Sequence, residues 1–275
     1  KKIVAYDLPV LIVNTPDNKP IISKTERTEG CDVILIDTDN QHYDLGCAGI
    51  RGRGNSSWQQ EKKPYNIKFE KKVPILGMKA SKHWILLANA FYDRTQLHNS
   101  VTYEMAKRTD IGWVPDNRYV ELILNGQHKG LYGIYEKIRV ENQKIELEEF
   151  DASSWDGKFN GGYMLETAPI PGDSYNPFLT SFFNKTGYSG RYILGWEIKS
   201  PDGYLPQSLY DGIKKDLDYI ESLIYNDSIL QTGKYRNYYD IESAIDWLLI
   251  ELAINNDEIA RSKNVYVYKK SWNSK

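Results

Sequence analysis

Apolar and polar positions along the chain change period about halfway. From Asp7 to Val33, short β-rich runs (Leu8 to Val13, then Ile21-Ile22) alternate with turn residues between Asn14 and Asn18. Val33 to Ile36 and Gly49 to Arg51 flank another turn, and Pro64 to Phe69 alternates with the period of a strand. Tyr65, Ile67 and Phe69 therefore share one face, and Asn66 and Lys68 the other. A helix is predicted from about Asp93 to Arg108, because Leu97, Val101 and Met105 recur every fourth residue behind an Asp-Arg-Thr cap region. The strongest local signal is a hairpin, Tyr119 to Leu124 and Gly130 to Tyr135 around Asn125-Gly126. After Glu141 the pattern changes. A Gly-, Pro-, Ser- and Asn-rich stretch from Asp151 to Gly190 holds one short strand, Gly162 to Glu166, and a second follows at Trp196 to Lys199. Two helical stripes come next: Leu209, Ile213, Leu217, Ile220 and Ile224, then Ile241, Ile245, Leu248, Leu249 and Leu252. The two stripes are expected to bury against each other. The pattern predicts an α+β fold, with a β-rich first half carrying one helix and a helix-rich second half, and no repeat or heptad.

Composition narrows the class. A chain of 275 residues, 41% hydrophobic and 26% charged, is long enough to bury a real core. No window approaches the ~18 consecutive apolar residues of a membrane span, so none is expected. A formal charge of -2 excludes a global field that would draw the molecule onto nucleic acid or anionic lipid, so any phosphate site must be local. Four His and two Cys, without CxxC or HExxH, leave too few ligands for a zinc centre. Cys31 and Cys47 fall across a strand pair and are read either as a bridge or as two buried thiols. The first residues hold no apolar stretch of the signal-peptide kind. Twenty-one Tyr lean towards a secreted surface protein.

Two constellations could carry chemistry. In Gly49-Ile-Arg51-Gly-Arg53-Gly54-Asn55-Ser56-Ser57-Trp58, close glycines let backbone N–H groups converge on an anion, and hydroxyls and arginines add charge-assisted bonds. The spacing is neither the Walker pattern nor GxGxxG, and a tight turn with solvated arginines uses the same residues. Lys62 and Lys63 follow it, then the strand with Lys68, read as an inward lysine that could reach bound phosphates or as a snorkelling surface lysine. Glu104 on the next helix could order that lysine, or pair with Lys107 or Arg108 on its own helix. The second constellation runs from Asn255 to Asn264, after the last helical stripe and before the strand Val265 to Tyr268. Asp257 there could face a nucleophile and Asn264 a metal ion; a helix-terminal turn with capping Asn is the plainer reading.

Taken with Leu8-Pro-Val, these segments resemble the spore-coat protein H (CotH) kinase family. The resemblance extends over Lys62 to Phe69, Trp84 to Asn89 with Asp93, Val120 to Gly126, Gly130 to Lys137, Gly162 to Glu166, and Asn256-Asp257 ahead of Tyr266 to Tyr268. It implies an atypical two-lobed protein-kinase-like fold, with a β-rich N-lobe over residues 1–137 and a helical C-lobe over residues 138–275 bearing the catalytic loop. It implies transfer of phosphate from ATP, with Mg²⁺ or Mn²⁺, to Ser or Thr of a protein. Carried over, Arg51, Arg53, Gly54, Asn55, Ser56 and Ser57 become the phosphate loop, Lys63 or Lys68 the nucleotide lysine and Glu104 its partner. Glu136 falls where backbone meets adenine, Asp257 is catalytic, and Asp257 and Asn264 hold metal. The chain departs from the family pattern at His98-Asn99, where Arg-Asn is expected, and in the spacing of Asn264 from Asp257. The family pattern continues past Lys275 into an Asp segment that holds Mg²⁺, so residues 1–275 alone are expected to be inactive, or else the protein is a non-catalytic relative. The implied setting is extracellular, cell surface or spore coat; the implied partner is a coat or extracellular protein, with no nucleic acid, and the chain is expected to be monomeric. A secreted binding or surface-assembly module on the same scaffold is the alternative function.

Overall fold

The computed structural model describes residues 7–89, 93–150, 160–170, 176–182, 193–203, 205–256 and 264–275. The chain forms two compact units, one of Lys1–Met105 with Val114–Ile138, the other of Ala106–Trp113 with Arg139–Lys275.

The first unit is a closed barrel. Its strands are β1 (Val10–Asn14), β2 (Thr28–Ile36), β3 (His42–Gly52), β4 (Tyr65–Ile75), β5 (Met78–Leu87), β6 (Asn117–Leu124) and β7 (Gln127–Glu136), in the order β1-β2-β3-β4-β5-β7-β6. Neighbours are antiparallel except where β1 meets β6 in parallel and closes the ring. Closure leaves no open edge to pair with another chain. The alternation read along Pro64 to Phe69 holds: Tyr65, Ile67 and Phe69 are buried in the interior, with Ile50, Trp84, Leu122 and Ile134. Lys68 consequently points outward and is exposed, not inward. At the hairpin tip Asn125 (φ 50°) and Gly126 (φ 73°) take the left-handed conformations of a tight two-residue turn. The Asn125 side chain also accepts from the Thr15 N–H at 2.8 Å and donates to Thr15 Oγ1 at 2.9 Å. The turn thus pins the end of β1 beside β6. Ile21-Ile22 forms no strand, and Ile22 is exposed.

Helix α1 (His98–Ala106) begins five residues later than the periodicity suggests. Asp93 accepts from the His98 N–H at 2.9 Å and from Thr95 Oγ1 at 2.7 Å, so the cap signal builds a turn ahead of the helix. Leu97 and Val101 are half exposed.

The second unit holds a four-stranded antiparallel sheet ordered β11-β8-β10-β9: β8 (Tyr163–Ile170), β9 (Pro177–Phe178), β10 (Ile193–Ser200) and β11 (Tyr266–Lys269). Helix α2 (Gln207–Tyr225) buries Leu209, Ile213 and Leu217 against Tyr163, Leu165 and Ile198 of that sheet. Helices α3 (Asp227–Leu230) and α4 (Ile241–Ala253) follow. The expected two-lobed kinase-like fold with a helix-rich C-lobe is therefore not what forms: a closed barrel dominates the first unit and a sheet organises the second. The reason is long-range pairing. β8 and β10 are eight-residue strands that find each other across a stretch whose composition reads as loop.

The two helical stripes do not bury against each other either. In α4 only Ile250 is buried, while Ile245, Leu248, Leu249 and Leu252 are 43–62% exposed. Apolar residues cover most of α4's circumference, so period alone selects no inner face. Asp216 of α2 accepts from Lys269 Nζ of β11 at 2.8 Å and from the Tyr163 hydroxyl of β8 at 2.9 Å, all three side chains being buried.

The cysteines are free thiols. Cys31 pairs across the ladder with Ala48, and Cys47 with Asp32, so the two side chains leave opposite faces of the barrel wall. Burial, more than the neighbouring Cys47, pushes the Cys31 thiol up to about 11.

Candidate functional site

The turn between β3 and β4 is built from its glycines and aromatics. The Gly52 N–H donates to Ser23 O at 2.8 Å, and the Arg53 N–H to Pro64 O at 3.2 Å. Trp58, on one turn of 3-10 helix (Ser57–Gln59), folds back so closely that a Cβ on Gly52 would lie 2.4 Å from its ring. Gly54 has φ +79°, and Ser57 Oγ fills the space its missing side chain leaves. Ser56 O accepts from the Gln59 N–H and the Gln60 side-chain amide, and Asn55 Oδ1 accepts from Lys24 Nζ at 3.3 Å.

Lys62 and Lys63 hold this turn shut. Lys63 Nζ donates to Trp58 O at 2.7 Å and lies 5.3 Å from the centre of the Trp58 ring. Lys62 Nζ donates to Leu131 O and lies 4.6 Å over Tyr132, whose hydroxyl donates to Lys63 O at 3.0 Å. Tyr65 stacks on Tyr132 and meets Trp58 edge-on. Burial lowers the Lys62 pKa against the opposing pull of Glu121. Of the two lysines proposed to meet a nucleotide, Lys63 is thus committed to the turn, and Lys68 is exposed on the outer wall.

On that outer wall Arg51 stands opposite Asn66, and Gly49 opposite Lys68. Arg51 donates to Thr25 O at 3.0 Å. Its Nε and Asn66 Oδ1 are enclosed and make no hydrogen bond among the described residues. Arg27 reaches across β3 to Gly49 O at 3.3 Å and Asn66 O at 3.5 Å. Its pKa is lowered, first by burial and then by Arg51, with Glu29 opposing. This guanidinium pair is the feature that fits a phosphate, because an oxyanion can take donors from both arginines. Sequence reading missed Arg27: it precedes its strand with no motif, and its reach to the Gly49 and Asn66 carbonyls exists only because β3 and β4 pair beside it.

A second polar group gathers around α1. Ser100 Oγ and the Tyr119 hydroxyl are 2.6 Å apart, Tyr119 donates to Gln96 O, and the Asn117 amide donates to Ser100 at 2.8 Å. Tyr103 meets Tyr135 edge-on. Burial, with Tyr135 adding to it and Arg53 opposing, pushes the Tyr103 phenol up to about 12. Asp93 is held below the usual carboxylate range: burial would raise it, but hydrogen bonds from Thr95 and His98 outweigh that. Glu104 is exposed on α1. Glu136 is buried and fastens β7 to the start of β6. Its carboxylate accepts from the Asp116 N–H, and its own N–H, one of the backbone groups in the region expected to meet adenine, donates to Asp116 O, each at 3.0 Å.

Asp257 lies outside the described residues. Asn264 is exposed at φ +71°, just ahead of β11. Among the described residues no group of three or more His, Cys, Asp or Glu side chains is arranged to hold a metal ion. The structure thus brings Arg51 and Lys68 onto one wall, locks Lys63 into the turn, and leaves Glu104 and Asn264 exposed on their own elements.

A family model described as "CotH kinase protein" matches residues 50–275, well over half the chain, including the whole of the Arg51 to Trp58 turn. No curated protein matches the chain.

Proposed function

Because the chain belongs to the CotH kinase protein family, we propose that it transfers the terminal phosphate of ATP, with Mg²⁺ or Mn²⁺, to Ser or Thr of a coat or extracellular protein. The observation that carries this reading is the family match across the basic glycine turn, together with the two guanidiniums and the lysine that share its outer wall. Phosphoryl transfer demands chiefly positioning and charge neutralisation, and such a wall suits the phosphate end of a nucleotide. Arg51 and Lys68 would hold phosphate oxygens. Asp257 would act as base or metal partner, and Asn264 would complete the metal ligands. Lys63 would act indirectly, by keeping the turn folded on Trp58.

The test is phosphotransfer from labelled ATP with Mg²⁺ or Mn²⁺, comparing full-length wild type and full-length Asp257→Asn alongside thermal melts of both. A catalytic carboxylate contributes in the transition state, so the variant should lose transfer while melting within a degree or two of wild type. Undiminished transfer by Asp257→Asn would end the catalytic assignment. A wild-type protein that folds yet neither binds ATP nor transfers phosphate would end the kinase reading.

A further inference from the structure

We propose that the outer wall of the barrel over β3 and β4 is a binding site for polyphosphate oxyanions, in which Arg27 is a principal ligand beside Arg51 and Lys68. The argument begins with like charges. Arg27 and Arg51 share carbonyl-lined ground at the edge of β3, where Arg51 opposes the charge of Arg27, over a wall where Lys68 adds a third cation. A fold has little reason to gather cations in a partly desolvated place unless an anion joins them. Their donors are underused: Arg27 spends one nitrogen on two carbonyls at 3.3 and 3.5 Å, and Arg51 keeps an enclosed Nε that meets no acceptor among the described residues. A guanidinium offers five N–H donors in a planar fork, the geometry that matches phosphate.

The wall already accommodates an anion at one point. Gly49 faces outward beside Lys68, and a Cβ there would lie 2.1 Å from the Glu29 carboxylate. The protein's own anion therefore already rests against this glycine, beside Arg27, whose charge it supports. Glu29 is exposed on β2, so a more highly charged oxyanion can displace it at small cost. Lys24, bonded to Asn55, brings a fourth positive charge to the margin. Pyrophosphate and the phosphate chain of a nucleotide share this chemistry. Only the choice of the nucleotide as the natural source rests on the phosphotransfer reading.

The experiment titrates inorganic pyrophosphate into the full chain while following the backbone amide resonances of Gly49, Asn66 and Lys68. Wild type should show saturable shifts there. Arg27→Met should weaken the affinity about 10-fold, the usual weight of one charge-assisted bond. Glu29→Gln should tighten it several-fold, because the competing carboxylate is gone. Unmoved amides in wild type, or equal affinities in wild type and both variants, would overturn the proposal. Loss of folding in Arg27→Met would leave Glu29→Gln to decide it. ATP shifting the same amides, with AMP inert, identifies the nucleotide chain as the source; pyrophosphate alone shifting them identifies free or protein-borne phosphate. Pyrophosphate binding without phosphotransfer by the full-length protein would end the kinase reading and keep the site, and phosphotransfer with these amides silent would do the reverse.

Discussion

Replacing Asp216 by Asn tests how the sheet of the second unit is tied to α2. The Asp216 and Lys269 side chains are 8% and 6% exposed, and their 2.8 Å ion pair shares its carboxylate oxygen with the Tyr163 hydroxyl. An amide of the same size can still accept the phenol's hydrogen bond but leaves the Lys269 ammonium without a counter-charge. Removing one partner of a buried pair costs about 3–5 kcal/mol. The Trp272 ring, 5.0 Å from Lys269 Nζ, is there in wild type and variant alike and so does not change the difference. The expectation stays at about 3–5 kcal/mol, which at roughly 2–4 °C per kcal/mol is a melting shift of ~6–20 °C. Denaturant unfolding followed by near-ultraviolet circular dichroism measures it directly. Asp216→Leu combined with Lys269→Met removes both charges and should destabilise less than Asp216→Asn alone, since apolar replacements of a buried pair are often neutral. A single-variant cost under about 1 kcal/mol, or a double variant as costly as the summed singles, would refute the argument that the pair is buried and interdependent.

Three further outcomes follow from the geometry. Gly52→Ala would drive a methyl into the Trp58 ring and should cost about 1–3 kcal/mol, with a change in tryptophan fluorescence; unchanged stability and emission would mean Trp58 does not lie over Gly52. Leu248→Ala should cost less than about 1 kcal/mol in urea unfolding, because Leu248 is 43% exposed; a loss above about 2 kcal/mol would show that something covers it. Tyr103, raised from its ordinary value to about 12, stabilises the fold fully below pH 10, and that contribution is lost as pH climbs from 10 through 12. Tyr103→Phe should accordingly flatten the alkaline fall in stability over that window, and an identical pH profile in wild type and variant would rule out a buried phenol.

Local patterns carried much of the architecture. Tyr65, Ile67 and Phe69 read as one face from their alternation, and Asn125-Gly126 read as a hairpin, because both depend on steric preferences within a few residues. The stripe on α2 was legible for the same reason: its apolar residues occupy one side only. The basic glycine turn, and the family to which the chain belongs, could likewise be read directly from Arg51 to Trp58 and the segments after it. Tertiary structure decided the rest. Alternation shows that β1 and β6 are strands, but not that they meet in parallel to close a ring, since the cost of bringing distant segments together is repaid only by pairing that no local window contains. The same holds for β8 with β10, and for α4, where apolar residues on nearly every side leave the inward face to be chosen by neighbours. Lys68 faces outward because closing the barrel fills its interior with the opposite set of side chains. Arg27 joins Arg51 because β2, β3 and β4 lie side by side and bring the Gly49 and Asn66 carbonyls within its reach, a juxtaposition that becomes visible only once the wall is assembled.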